Sequence, residues 1–346
     1  MSTANNYRAL FKFCDICRNK ILDMRSILLL LTIVICTTTK AQINITTSAP
    51  AGGQAPYSKA HRERLMDELK KSTTIFILQY RDYDQLATFE KAIKESWTFT
   101  PYKVIRPGEL QDYEGKTGFT FFTFNAYYTG KHHNTQHLQY GLWCPVLNKH
   151  GKLKSQFFYS SEVLYPDDST RIAMVPYSLS RHKYDAALMN DMLDNAHYYN
   201  WNAQFLKSYL QTTNDFLSRN ENLGIWNTYT TEHLHELKTD TLYIPDYVKT
   251  REEFWRNRTY TDSVMTETSI HAEYPYPVKF VSTEQLTQML ADHTRNIHYL
   301  VYSVDASVKY IDVFSSRDGL LYAFTRLMSW TFKEKDLGLL AGFVNG

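Results

Sequence analysis

Cysteine is scarce in this chain, and its placement excludes a fold held together by disulfides. Four of the 346 residues are cysteine, and three of these, at positions 14, 17 and 36, lie within the first 41 residues. Cys144 is left without a partner for an internal bond. We expect its side chain to be buried in a strand, because an exposed free thiol is a liability in an oxidising compartment. The neighbouring sequence suggests no histidine that would activate Cys144 for catalysis.

A hydrophobic run long enough to cross a membrane is also lacking. The apolar run Ile27 to Cys36 has ten residues, whereas a membrane span needs roughly 20. Arg25 precedes the run, and the small residues Thr39 and Ala41 follow it. This order is typical of a signal peptide, here residues 24–41, and predicts cleavage between Ala41 and Gln42. The alternative is a membrane-anchored protein in which the segment stays uncut and residues 1–23 remain in the cytoplasm.

Residues 1–23 do not resemble the start of a signal peptide. They are polar and of mixed charge, whereas a signal peptide normally begins within a few residues of its basic end. We therefore interpret them as a dispensable leader or a mis-called start, with Met24 as the true first residue. In either case Cys14 and Cys17, which form a CxxC pattern, would be absent from the mature protein.

A strong net charge is missing too. The whole chain has a formal charge of +2, but residues 1–41 hold six basic and two acidic side chains. The remainder is therefore slightly acidic. A nearly neutral body lacks the basic surface that binds nucleic acid or an anionic membrane, so neither is an expected partner.

No catalytic motif in the sequence has the spacing that its chemistry requires. Lys116 and Thr117 follow Gly115 as in a phosphate-binding loop, but Leu110 occupies the position of the first glycine. The segment also leads into a predicted strand, whereas phosphate binding requires a helix N-terminus. His235 and Glu236 resemble the start of a zinc-protease helix, but the second histidine of that motif is replaced by Thr239. No GxSxG nucleophile motif is present.

Histidine clusters are the remaining candidates for a metal site. The best is the loop with His132, His133 and His137, which has no carboxylate or thiolate close to it in sequence. The segment Glu232 to Glu236 has alternating histidines that a strand edge would present on one face. Solvated polar surface explains both segments more simply, so we predict no metal and no cofactor.

The chain is predicted to be an α/β protein with mixed sheets, made of two related units. Strands, helices and further strands recur in the same order, with Lys103 matching Lys279 and Ile105 matching Val281 at one constant offset. Each copy continues into antiparallel strands, and a long amphipathic helical segment joins the copies. The predicted organisation is a leader (1–23), a signal peptide (24–41), a flexible linker (42–57), a first α/β unit (58–180), a helical connector (181–238) and a second α/β unit (239–346).

This order of elements resembles the small α/β domains of bacterial envelope proteins, such as the N-terminal domain of TolB and the periplasmic part of CsgG. The junction between Ala41 and Gln42 and the body with 26 tyrosines are also similar to exported proteins of the Bacteroidota. The resemblance implies a Gram-negative envelope setting and a role in recognition or assembly. It transfers no functional residue.

The sequence therefore predicts an exported protein, periplasmic or at the cell surface, that binds or assembles without catalysis. Its expected partner is an envelope protein or a carbohydrate, since the 15% of aromatic residues would suit protein interfaces or stacking on sugars. The alternative is an exported hydrolase with dispersed catalytic residues. A hydrolase should show a pocket where ionisable groups converge, and a binding protein an aromatic or apolar patch.

Overall fold

The first half of the folded body begins with a short strand and ends with a long helix. The computed structural model describes residues 43–45, 59–113, 115–129, 135–147, 150, 153–171, 196–223, 228–253, 258–262, 264–305 and 308–346. The elements of the first half are β1 (Ile43–Ile45), α1 (Lys59–Lys70), β2 (Thr73–Ile77), α2 (Leu86–Ser96), β3 (Tyr102–Ile105), β4 (Phe119–Thr129), β5 (Thr135–Leu147), β6 (Leu153–Val163) and α3 (Ala203–Arg219), with 3-10 helices at Tyr80–Gln85 and Pro107–Asp112.

The second half contains more short elements. Its strands and helices are β7 (Tyr229–Thr230), β8 (Leu242–Pro245), β9 (Thr250–Glu253), β10 (Arg258–Thr261), α4 (Glu267–His271), β11 (Val278–Val281), α5 (Thr283–Ala291), β12 (His298–Asp305), β13 (Val308–Ser315), β14 (Gly319–Leu327) and α6 (Glu334–Asn345), with 3-10 helices at Glu232–Lys238 and Asp246–Lys249. Strands β9 and β10 pair with each other as a separate ribbon.

Each half builds one six-stranded mixed sheet, and the two sheets have the same strand order. The order is β3-β2-β4-β5-β6-β1 in the first and β11-β8-β12-β13-β14-β7 in the second. The central strands β2 and β8 pair in parallel with both neighbours, and the later strands pair antiparallel. Strands β3 and β11 are related by the offset that matches Lys103 with Lys279. The predicted α/β fold with two related units is confirmed.

Helix α3 joins the halves into one body. It packs on α2 of the first half and also contacts β14 and α5 of the second. Its Phe205 and Tyr209 rings lie 5.9 and 6.0 Å, centroid to centroid, from Tyr299 and Phe314. The largest hydrophobic core therefore contains side chains of both halves. Residues Lys40–Gly346 form a single compact unit, so the predicted units are halves of one body.

The described residues correct two of the predicted boundaries. Residues 42–57 were predicted to be a linker, but Ile43–Ile45 forms an edge strand on β6, and Ile45 is buried. The segment 181–238 was predicted to be a helical connector, but Tyr229 and Thr230 form the edge strand beside β14. Both strands are too short for a clear hydrophobic pattern, and their pairing partners are distant in sequence. The leader, the signal peptide and its junction at Ala41 and Gln42 lie outside the described residues.

Candidate functional site

The two central parallel strands end at equivalent positions, and a pocket opens beside each end. Strand β2 ends at Ile77 and β8 at Pro245, and these residues pair with the equivalent ends of β3 and β11. A 3-10 helix follows each strand, at Tyr80–Gln85 and at Asp246–Lys249. Ligands of α/β sheets commonly bind outside the carboxyl ends of the strands. A ligand site is therefore expected beside these strand ends.

The pocket beside β2 is small and has both polar and aromatic walls. Its volume is about 160 Å³, and its lining includes Gln79, Arg81, Asp82, Phe89, His197 and Trp201. Arg81 Nη1 donates to the carbonyl oxygen of Ala196 at 3.0 Å. The indole of Trp201 stacks flat on the ring of Tyr140, with centroids 3.9 Å apart. Hydrogen bonding and stacking therefore fix these walls.

Asp82 is the buried acid of this pocket. Its Oδ2 accepts hydrogen bonds from Trp201 Nε1 at 3.0 Å and from the backbone N–H of Gln79 at 3.1 Å. Burial raises the pKa of the Asp82 carboxyl to about 6, although both hydrogen bonds favour the ionised form. The carboxyl closes the first turn of the 3-10 helix and positions the indole. Its contacts are those of a structural group.

The pocket beside β8 is larger and more open. Its volume is about 640 Å³, and its lining includes Asp167, Tyr199, Asp246, Lys249, Ser282 and Glu284. The ring of Tyr199 is half-buried and stacks on Tyr247 with centroids 4.9 Å apart. Ser282 Oγ accepts from the N–H of Gln285 and caps helix α5. Aromatic faces, hydroxyls and carboxylates thus line one concave surface.

Both pockets are lined by His197 and Tyr198, so we treat them as one feature, the inter-half cleft. These two residues precede helix α3. The N–H of Asp167 donates to the carbonyl of His197 at 2.9 Å, and the N–H of Tyr199 donates to that of Tyr165 at 2.9 Å. Buried Asn200 bonds the backbone of Tyr165 and Val163 through its amide. The wall shared by both pockets is therefore fixed to the end of β6.

A third cavity, of about 400 Å³, contains the thiol of Cys144. Cys144 is buried, as predicted, and Tyr159 Oη donates to its Sγ at 3.3 Å. Burial raises the pKa of the thiol to about 11, which suppresses the reactive thiolate. Among the described residues that line this cavity there is no histidine. A catalytic thiol is therefore disfavoured.

The structure describes only some of the predicted histidine candidates. His132 and His133 lie outside the described residues. His137 is on β5, and its Nδ1 lies 2.7 Å from Asp305 Oδ1 on β12, so a carboxylate absent from the neighbouring sequence is supplied by the second half. The segment Glu232 to Glu236 forms a 3-10 helix instead of a strand edge. Its alternating histidines therefore point in different directions.

Two further features of the chain are settled by the geometry. After Gly115, Lys116 and Thr117 the chain enters β4 at Phe119, so this segment has no helix N-terminus for a phosphate. Among the described residues, no helix is long and apolar enough to span a bilayer.

Comparison with protein-family models, curated proteins and solved structures finds no match to this chain.

Proposed function

We propose that this chain is an exported, non-catalytic binding protein that holds a polyhydroxylated ligand, of the carbohydrate class, in the inter-half cleft. The observation that carries the proposal is that the pockets beside the carboxyl ends of β2 and β8 share the lining residues His197 and Tyr198. Duplicated sheets that open onto a shared cleft offer one ligand two sets of contacts. Sites of this kind are concave, with few polar groups placed among aromatic ones.

The chemistry of the lining favours an uncharged polar ligand. Asp167, Asp246 and Glu284 face the larger pocket with Lys249 as its only lysine or arginine among the described lining residues. An excess of carboxylates repels phosphates and other anions. Sugars instead present hydroxyls to carboxylate and hydroxyl groups and an apolar ring face to an aromatic side chain, here the exposed side of Tyr199. The cleft therefore suits a neutral glycan.

The hydrolase alternative has less support from the cleft. Asp82 is already engaged by Trp201 and Gln79, and Ser282 caps a helix. Glycoside hydrolysis needs two carboxyl groups that flank the scissile bond, one of them free to give up a proton. The other carboxylates of the cleft at Asp246 and Glu284 are exposed to solvent, and Asp246 Oδ1 lies 3.2 Å from Lys249 Nζ. Binding is the better description.

Glycan binding can be tested directly. The mature protein should bind members of an array of Gram-negative envelope glycans, and Tyr199→Ala should weaken the best of these by at least about tenfold, equivalent to about 1.4 kcal/mol. Tyr276→Ala is the matched control, because Tyr276 is a half-buried tyrosine outside both pockets. Equal loss in both variants, or no bound glycan, would refute the proposal. Release of shortened glycan would support the hydrolase instead.

The proposal that the protein is exported depends on the predicted signal peptide, residues 24–41, and can be tested separately. Intact mass and N-terminal sequencing of the protein from the envelope fraction of its host should give a chain that starts at Gln42. A chain that keeps the run Ile27 to Cys36 and stays in the membrane fraction would replace this proposal with the anchored alternative. The periplasm and the cell surface can then be distinguished by protease treatment of intact cells.

A further inference from the structure

A cluster of histidine and carboxylate side chains lies near the N-terminal end of β8, away from the cleft. It starts in the 3-10 helix Glu232–Lys238, where residues three apart lie on the same side. His233 and Glu236 are related in this way, and His233 Nδ1 lies 2.9 Å from Glu236 Oε1. His235 points elsewhere, since its Nδ1 donates to the carbonyl oxygen of Val344 at 2.8 Å.

Asp318 reaches the same place from the turn between β13 and β14. The donor atoms of His233, Glu236 and Asp318 all lie within 4.8 Å of one another. One imidazole nitrogen and two carboxylate oxygens form a ligand set that suits divalent ions of the zinc class, with water completing the coordination. His233 and Glu236 are both partly exposed, at 47% and 39% of their side chains, so an ion could enter from solvent.

The two carboxylates are held by neighbouring groups. Glu236 Oε2 lies 3.3 Å from Nε2 of buried His298 and 3.5 Å from Asn296 Nδ2, which leaves Oε1 turned toward His233. Asp318 Oδ2 accepts from Ser315 Oγ at 2.8 Å. Asp240 Oδ2 in turn lies 3.6 Å from His298 Nδ1. Groups outside the coordination sphere that orient the ligands in this way are a regular feature of protein metal sites.

We propose that His233, Glu236 and Asp318 bind one divalent metal ion of the zinc class. His298, Asn296 and Ser315 orient the two ligand carboxylates without touching the ion. The site is independent of the ligand proposed for the cleft.

The experiment is a titration of the full chain with zinc in competition with a chromophoric chelator. The chain carries Cys14→Ser, Cys17→Ser and Cys36→Ser, so that no leader thiol binds the metal. One ion per chain is expected. His233→Ala and Asp318→Asn should each weaken binding by at least about tenfold, and Asn296→Ala by roughly ten- to a hundredfold through its effect on Glu236. Cobalt should give a visible absorption spectrum that is lost in His233→Ala.

His235→Ala is the matched control, because it removes a histidine of the same 3-10 helix that points away from the site. Far-UV circular dichroism should confirm that every variant is folded. Three results would overturn the proposal: no stoichiometric zinc binding, equal affinity in His233→Ala and the control, or displacement of zinc by an equal concentration of calcium. Two ions per chain would overturn the outer role of His298, since Glu236 would then bridge two metals.

Discussion

At the residue scale, Asp82 links the cleft to the pH dependence of stability. Its folded-state pKa of about 6 exceeds the ordinary value of 3.8 because the carboxyl is buried. The folded state therefore holds the proton more tightly than the unfolded state. The stability that Asp82 contributes is complete below about pH 4 and is lost as the pH rises through 6.

Asp82→Asn should remove this part of the pH profile. The amide keeps an acceptor for Trp201 and Gln79 but cannot ionise. Relative to this variant, the wild type should lose about 3 kcal/mol of unfolding free energy between pH 4 and pH 7, at about 1.4 kcal/mol for each unit of pKa shift. Urea unfolding of both proteins at several pH values measures the difference. A constant difference across this range would show that folding does not change the pKa of Asp82.

Cys144 allows a second residue-scale prediction, concerning reactivity. With the pKa of its thiol near 11 instead of 9, Cys144 should have about a hundredfold less thiolate at pH 8, and burial should slow its modification further. A disulfide reagent should therefore react rapidly with the same number of thiols in the native wild type and in the native Cys144→Ser variant. After denaturation the wild type should show one more. An additional fast thiol in the native wild type would mean that the cavity exposes it.

At the element scale, Asn202 defines the start of the helix that joins the halves. Its side-chain oxygen accepts from the N–H groups of Gln204 and Phe205, at 2.9 and 3.0 Å, and its amide donates to Thr287 Oγ1 on α5. Asn202→Ala removes both the cap and this link. We expect a loss of about 1–2 kcal/mol in unfolding free energy.

Asn202→Asp separates the two contributions, since the carboxylate keeps the cap and loses only the donor to Thr287. It should retain most of the wild-type stability in the same urea titration. An Asp variant as unstable as the Ala variant would assign the effect to the contact with α5 instead of to capping.

The elements also show how far the sequence could predict the fold. The match of Lys103 with Lys279 located β3 and β11 correctly because both strands carry their own pattern of apolar residues. The sequence did not indicate that a 3-10 helix precedes α2, which forms because Asp82 closes a tight first turn. The ribbon of β9 and β10 was not predicted from the sequence either.

The sites were harder to predict than the fold, for a physical reason. The cleft depends on His197 and Tyr198, which belong to no sequence motif and are identified only because they line both pockets. For the metal candidates, the sequence indicated the segment Glu232 to Glu236 but could not indicate Asp318, which lies in a turn some 80 residues later. Spacing along the chain identifies ligands only when one element carries them. Here His233 and Glu236 lie on one 3-10 helix and Asp318 lies in a distant turn.

At the scale of the whole molecule, the duplicated sheets depend on each other. Side chains from β2 and β4 share a hydrophobic core with side chains from α5, β12 and β13, and α3 lies between them. Polar groups also cross the junction, as His137 meets Asp305 and Ser208 Oγ meets Tyr299 Oη. A half on its own would expose this apolar surface to water, and its buried polar groups would lose their hydrogen-bond partners.

The intact body should therefore unfold in one step, although the sheets repeat a single plan. Tryptophan fluorescence, which includes Trp97, Trp143 and Trp201 of the first half, and far-UV circular dichroism should give coincident urea transitions. Expressed separately, fragments 42–224 and 225–346 should each lack a cooperative transition, because each loses half of the core around α3. If either fragment unfolded cooperatively with the near-UV spectrum of a packed protein, that half would be an independent domain. The inter-half cleft would then join two domains free to move, and closure around a ligand would replace a preformed pocket.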